Sequence, residues 1–154
     1  MTIGIITFIT SWAVFLLIAN KKLFPLYAVT SYVAIILALT TDIMTSVYPL
    51  WSYGGTEVET FFTQLLNSFG IYFVVVYLFL QTAPKNKTTY TIIRHIFYWS
   101  IFSFILEVFF SYVGYIEYQQ WWNLGFSYIA DWVLFTLFYI HHQWIAHYSM
   151  VIAR

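Results

Sequence analysis

The sequence predicts an all-α integral membrane bundle of five transmembrane helices in a single domain, residues 1–154, with the N-terminus outside and the C-terminus inside. Three observations carry this. Of 154 residues 62% are hydrophobic and only 8% charged, against roughly 25% charged in a soluble domain. The apolar residues gather into stretches of about 20, the length that crosses a hydrocarbon core of ~30 Å. Lys21, Lys22, Lys85, Lys87, Arg94 and Arg154 all fall at alternate ends of those stretches, as cytoplasmic loops require.

The first span, residues 2–19, is closed by Asn20 and the two lysines after it. It has no positively charged leading region and no small-residue cleavage site, so it reads as a retained helix and not as a signal peptide. Pro25, suited to a first helical turn, opens the second span, 26–47. In Thr56-Glu57-Val58-Glu59 the threonine can cap the Glu59 amide while Glu59 reaches back, and this capping box opens the third span, 60–81. A polar turn with Pro84, Lys85 and Lys87 leads to the fourth, 90–115. A break at 117–120 precedes the fifth, 121–148, which outlasts the hydrocarbon and emerges at the surface. The unbasic loops 48–60 and 116–120 are placed outside. Aromatic belts fit this orientation, with Tyr48, Trp51, Tyr53, Tyr115, Tyr118, Trp121 and Trp122 at the outer interface and Tyr27, Tyr90, Tyr139, Trp144 and Tyr148 at the inner one.

Composition also excludes. Six basic and six acidic residues give no net charge, and without a basic patch no nucleic-acid partner is expected. Without cysteine there are no disulfides, thiol nucleophiles or thiolate metal sites. No phosphate loop, Ser-His-Asp order or HExxH motif occurs, so the sequence favours a non-enzyme and implies no cofactor.

Asp42, Glu107 and Asp131 lie inside the spans with no Lys or Arg beside them. A carboxyl in hydrocarbon costs about 2.5–3.5 kcal/mol by insertion scales, so it is retained where something solvates it. At about 1.5 Å per residue from the outer helix ends, Asp42 and Asn67 lie about 9 Å deep, Glu107 about 12 Å and Asp131 about 15 Å. Ser103, Glu107 and Ser111 form one stripe at helical spacing, and Asn123, Ser127 and Asp131 another. Turned toward each other, these faces enclose an acidic pocket open to the outside. Asp42, Asn67, Glu107, Asn123, Ser127 and Asp131 are its candidate ligand-binding residues. The bland alternative is hydrogen bonding between helices, worth about 0.6 kcal/mol on average per polar side chain.

His141, His142 and His147 resemble a metal cluster only in sequence, since no two are separated by three or four residues; no metal site is expected, and these residues with His95 read as interfacial. Trp12, Trp99 and Trp132 fall away from the interfaces and are the candidates to line an apolar cavity, although core filling is the commoner role of a tryptophan.

The run Tyr118-Gln119-Gln120-Trp121-Trp122-Asn123, with Ser127, a His near the end of the last span, Asp42, the Tyr48-Pro49-Leu50-Trp51 turn and Glu107, resembles an uncharacterised family of small multi-pass membrane proteins from spore-forming Gram-positive bacteria. The likeness covers about residues 40–145 and implies a bacterial cell membrane location without an activity. Gln64-Leu65-Leu66-Asn67 and the span count are also similar to the tryptophan-rich sensory protein and translocator family, which binds porphyrins and sterols, but that family's proline-rich first loop is missing. The segment from Asp42 to Trp51-Ser52-Tyr53-Gly54 resembles membrane carotenoid cyclases, without their Pro-x-Glu-Glu motif.

The function expected is therefore a membrane protein whose outward-facing acidic pocket binds a cation, a proton or a small polar-headed ligand, with transport as an extension. Two rivals stand beside it. One is an intramembrane enzyme or binding protein for an isoprenoid, porphyrin or lipid, with a carboxylic acid as proton donor. The other is a structural or regulatory subunit, as a homo-oligomer or with a membrane partner protein whose basic helix meets the acids.

Overall fold

The computed structural model describes residues 1–152, with side chains as far as Tyr148. The chain is mostly helical, with five helices in sequence: Thr2–Ile18, Phe24–Val47, Glu57–Gln81, Thr89–Tyr112 and Leu124–Ile152. The last four are long and apolar enough to cross a membrane; the first is apolar and has 17 residues, about 26 Å at 1.5 Å per residue. The third helix is the central one. In it 61% of the most apolar stretch is buried, against 11% in the fourth helix and 17% in the fifth, whose apolar side chains face outward as a lipid solvent requires.

Local sequence explains the helix ends. Pro25 stands in the first turn of the second helix. The capping box is present in full, with Thr56 accepting from the Glu59 amide and Glu59 from that of Thr56. The link between the first two helices is bound to the third: Gln81 accepts from the Asn20 amide at 2.6 Å and donates to the Ile18 carbonyl at 3.0 Å. Tyr77 donates to the Asn20 carbonyl at 2.8 Å. One amide side chain thus satisfies an orphan carbonyl at a helix end and orients the turn that follows.

The third helix is not a uniform α-helix. Residues Ser68–Tyr72 form a π turn, where Ser68 and Gly70 are weak helix formers. The wider turn brings Asn67 and Tyr72, five residues apart, to one cavity; π turns of this kind recur at functional sites. Gly70 is buried against the first helix, and a Cβ built on it would lie 3.2 Å from the Phe8 Cα. Small residues of this kind let two helix backbones approach in a membrane.

The largest departure from the sequence reading is at the ends predicted to be outer loops. Residues Trp51–Tyr53 form a strand, β1, antiparallel to β2, Ile116–Tyr118, in the register Trp51↔Tyr118, Ser52↔Glu117 and Tyr53↔Ile116. The fourth helix stops at Tyr112, three residues short of the predicted 115, because Gly114 has φ +68 and closes it. There the Tyr115 amide donates to the Phe110 carbonyl at 2.8 Å and the Gly114 amide to that of Ser111 at 3.1 Å. The Phe110 and Tyr115 rings meet at 5.2 Å. This is a Schellman motif with its hydrophobic contact, and it launches β2. Gln119 completes the cap, its amide donating to the Leu50 carbonyl and its side chain to Ser52.

The aromatic belts therefore need correction. Tyr48 and Trp121 at one end and Tyr90, Trp144 and Tyr148 at the other are exposed as expected, but Tyr53, Tyr115 and Tyr139 are buried. The histidines need it too. His95 stacks on Phe79 and lies 2.9 Å from its carbonyl, and His142 is buried beside Tyr27. His142 is thus packed inside the bundle, and His95 is half-buried against the third helix.

Candidate functional site

Beneath the two-stranded cap lies a cavity of about 440 Å³ between the second, third, fourth and fifth helices. Alternation along the strands sends Trp51, Tyr53, Ile116 and Tyr118 to one face; of these, Trp51, Tyr53 and Ile116 line the cavity. The sheet is its roof. Next come the polar groups Asn67, Tyr72, Ser103, Glu107, Ser127 and Asp131. Farther in, Ala34, Ala38, Val76, Phe135 and Phe138 form an apolar barrel. One cavity thus has a polar, aromatic end and an apolar end.

Four of the six residues named from sequence meet here: Asn67, Glu107, Ser127 and Asp131. The Ser127 hydroxyl donates to the Glu107 carboxylate, joining the fourth and fifth helices. Glu107 and Asp131 interact electrostatically across the cavity, and Asp131 Oδ2 is buried without a hydrogen-bond partner. Asn67 is held from below the roof, accepting from the Tyr115 hydroxyl at 2.9 Å.

The other two lie elsewhere. Asn123 is exposed and caps the fifth helix, accepting from the Gly125 amide at 2.9 Å and the Phe126 amide at 3.3 Å. A cap lies one turn before the helix face proper, so the spacing that aligned Asn123 with Ser127 and Asp131 did not bring it to the cavity. Asp42 is buried outside the cavity wall, with Trp51 as its polar neighbour and Oδ2 without a partner. Of the three acids, two therefore line one cavity and one does not. Among the described residues no three His, Cys, Asp or Glu side chains converge on a metal-sized site.

None of the candidate tryptophans lines the cavity, and Trp12 and Trp99 take the commoner role of filling the core. Trp12 stacks on Phe73 and donates to the Phe69 carbonyl. Trp99 donates to Thr82 within the Phe79 and Phe135 cluster. Trp132 packs on Phe97 and borders an open groove on the outer face of the fifth helix. The tryptophans that do line the cavity are Trp51 and Trp122, whose rings lie 5.8 Å apart. The signal available in sequence was strand alternation in Trp-Ser-Tyr and Ile-Glu-Tyr, which aromatic residues at helix ends also produce when they anchor at an interface.

The roof phenols stay neutral. Burial, then the adjoining Glu107, pushes the Tyr118 phenol well above its usual value; burial likewise raises Tyr53 and Tyr115. A neutral phenol beside a carboxylate adds no negative charge, and the Tyr118 hydroxyl is buried there without a hydrogen-bond partner.

Known protein families, curated proteins and solved structures offer no match to this chain.

Proposed function

We propose that this chain is a multi-pass protein of the bacterial cell membrane, with all five helices spanning, that binds a small polar-headed amphiphile in the cavity beneath its two-stranded cap. The observation that carries this reading is the division of one cavity into a polar end at Asn67, Glu107, Ser127 and Asp131 and an apolar barrel at Ala34, Ala38, Phe135 and Phe138. Its volume of about 440 Å³ lies within the range of small-molecule sites, roughly 300–1,000 Å³. An apolar floor gives no gain to a bare ion but stabilises a ligand carrying hydrocarbon.

Two measurements test it. Ala38→Phe extends a ring into the barrel, away from the polar end. Native mass spectrometry of the purified protein is expected to find a retained small molecule in the parent and none in the variant, with both melting alike. A variant that retains the same molecule excludes the cavity. Orientation is tested separately, since the segregation of Lys and Arg places the capped end outside. A single cysteine at exposed Glu117 is expected to react with an impermeant thiol reagent in intact cells, and one at Asn86 to be protected. The reverse pattern would place the cavity's roof in the cytoplasm.

A further inference from the structure

The polar end of the cavity has a sign and a shape. Its carboxyls, Glu107 and Asp131, act on each other, and no Lys, Arg or His stands among the described residues that line it. Asp131 Oδ2 accepts from nothing, although it is shut off from solvent. A buried acceptor left so is destabilised relative to one that is hydrogen-bonded. A ligand with an anionic head would be repelled by the negative charge the two carboxyls already share. One with a hydroxyl head would satisfy a single oxygen and leave the charge uncompensated.

Around these acids the wall is aromatic. Trp51 and Trp122 meet at 5.8 Å and Tyr53 and Tyr115 at 5.6 Å. The β-register sets Trp51 opposite Tyr118, whose phenol adjoins Glu107 and Ser127. Tyr72, delivered by the π turn, interacts electrostatically with Asp42, Glu107 and Asp131. Indole and phenol faces attract a cation, most strongly where water is excluded. Acids without a counter-ion, aromatic faces above them and an apolar barrel beyond define one ligand chemistry.

We propose that the ligand is an organic ammonium ion with an apolar body, its cationic head between Glu107 and Asp131 under Trp51 and Trp122 and its hydrocarbon in the Ala38 and Phe138 barrel. This rests on the cavity being a binding site for an amphiphile, and the experiment separates the two claims. The purified protein in lipid nanodiscs is titrated with octyltrimethylammonium, octanol and octanoate, following tryptophan fluorescence and the thermal midpoint. The ammonium is expected to bind at least about tenfold more tightly than octanol, a difference of ~1.4 kcal/mol, and octanoate not to bind. Glu107→Gln keeps an acceptor for Ser127 and is expected to reduce the ammonium to the affinity of octanol, while Glu107→Asp retains the preference. Should Glu107→Gln fail to fold, Asp131→Asn is read for the same loss. Equal binding of octanol and the ammonium, abolished by Ala38→Phe, would overturn the ammonium and leave the cavity reading standing. Binding of neither, or binding indifferent to Ala38→Phe, would overturn both.

Discussion

Gly70→Leu is expected to detach the first helix from the bundle. The backbone of that helix lies so near the π turn that even a methyl on Gly70 would sit 3.0 Å from the Phe8 Cδ2 and 3.2 Å from the Phe8 Cα. The ring can swing; the Cα cannot, so the whole helix must move. Overpacking of this sort typically costs about 1–3 kcal/mol for a small insertion, and leucine adds three further carbons. Displacement would also stretch the bond from Trp12 Nε1 to the Phe69 carbonyl, now 3.2 Å, and open the stack of Trp12 on Phe73. In detergent, Gly70→Ala is expected to melt several degrees below the parent and Gly70→Leu to lose its cooperative transition. A leucine variant melting with the parent would show that the first helix is not packed at Gly70.

The second large effect is expected at the roof. Tyr115→Phe removes one hydroxyl and leaves Asn67 Oδ1, the acceptor of a 2.9 Å bond, without its donor. Both residues are buried, at 6% and 5% exposure. Polar pairs between membrane helices average only about 0.6 kcal/mol because the unfolded chain in the bilayer finds other partners. Here the loss is larger, since an enclosed acceptor that loses its donor costs about 1–3 kcal/mol. Tyr115→Phe is therefore expected to lower stability by about 1–2 kcal/mol, while Asn67→Ala in the Tyr115→Phe background adds much less than it does alone. Additive losses in that double-mutant cycle would show that the two side chains do not hold each other.

Two further features of the roof come from this arrangement. Tyr115 is the residue that follows the αL glycine of the Schellman motif, so the position of a cavity wall is set by the end of a helix. Gly4 in the first helix faces the same hydroxyl, at 3.0 Å from a built Cβ. The first helix, although it supplies none of the residues lining the cavity, thus braces the roof from behind.

By itself the sequence determined the helices and most of the polar end of the cavity. Helix formation in a chain this apolar follows from the need of every backbone group for an internal partner in lipid, and the capping box at Thr56, Pro25 and the polar turn at Pro84 mark boundaries through interactions spanning only a few residues. Asn67, Glu107, Ser127 and Asp131 were legible because a polar group within a hydrocarbon span is an exception that demands a partner. What only tertiary structure decided depends on residues distant in the chain. Trp51-Ser52-Tyr53 is a strand because Ile116-Glu117-Tyr118 pairs with it, 63 positions away by the register of Tyr53 with Ile116; either segment alone has too few bonds to leave the coil. That pairing took Tyr53, Tyr115 and Trp51 from a presumed interface and made them a roof. Asp42 does not line the cavity although neighbouring Ala38 and Thr41 do, a distinction of direction that depth along a helix cannot express. Asn123 was drawn to a cap because helix-end amides compete for the same side chain that spacing assigned to the cavity. Periodicity gives depth and face for each helix separately, whereas which faces meet is fixed by packing between them.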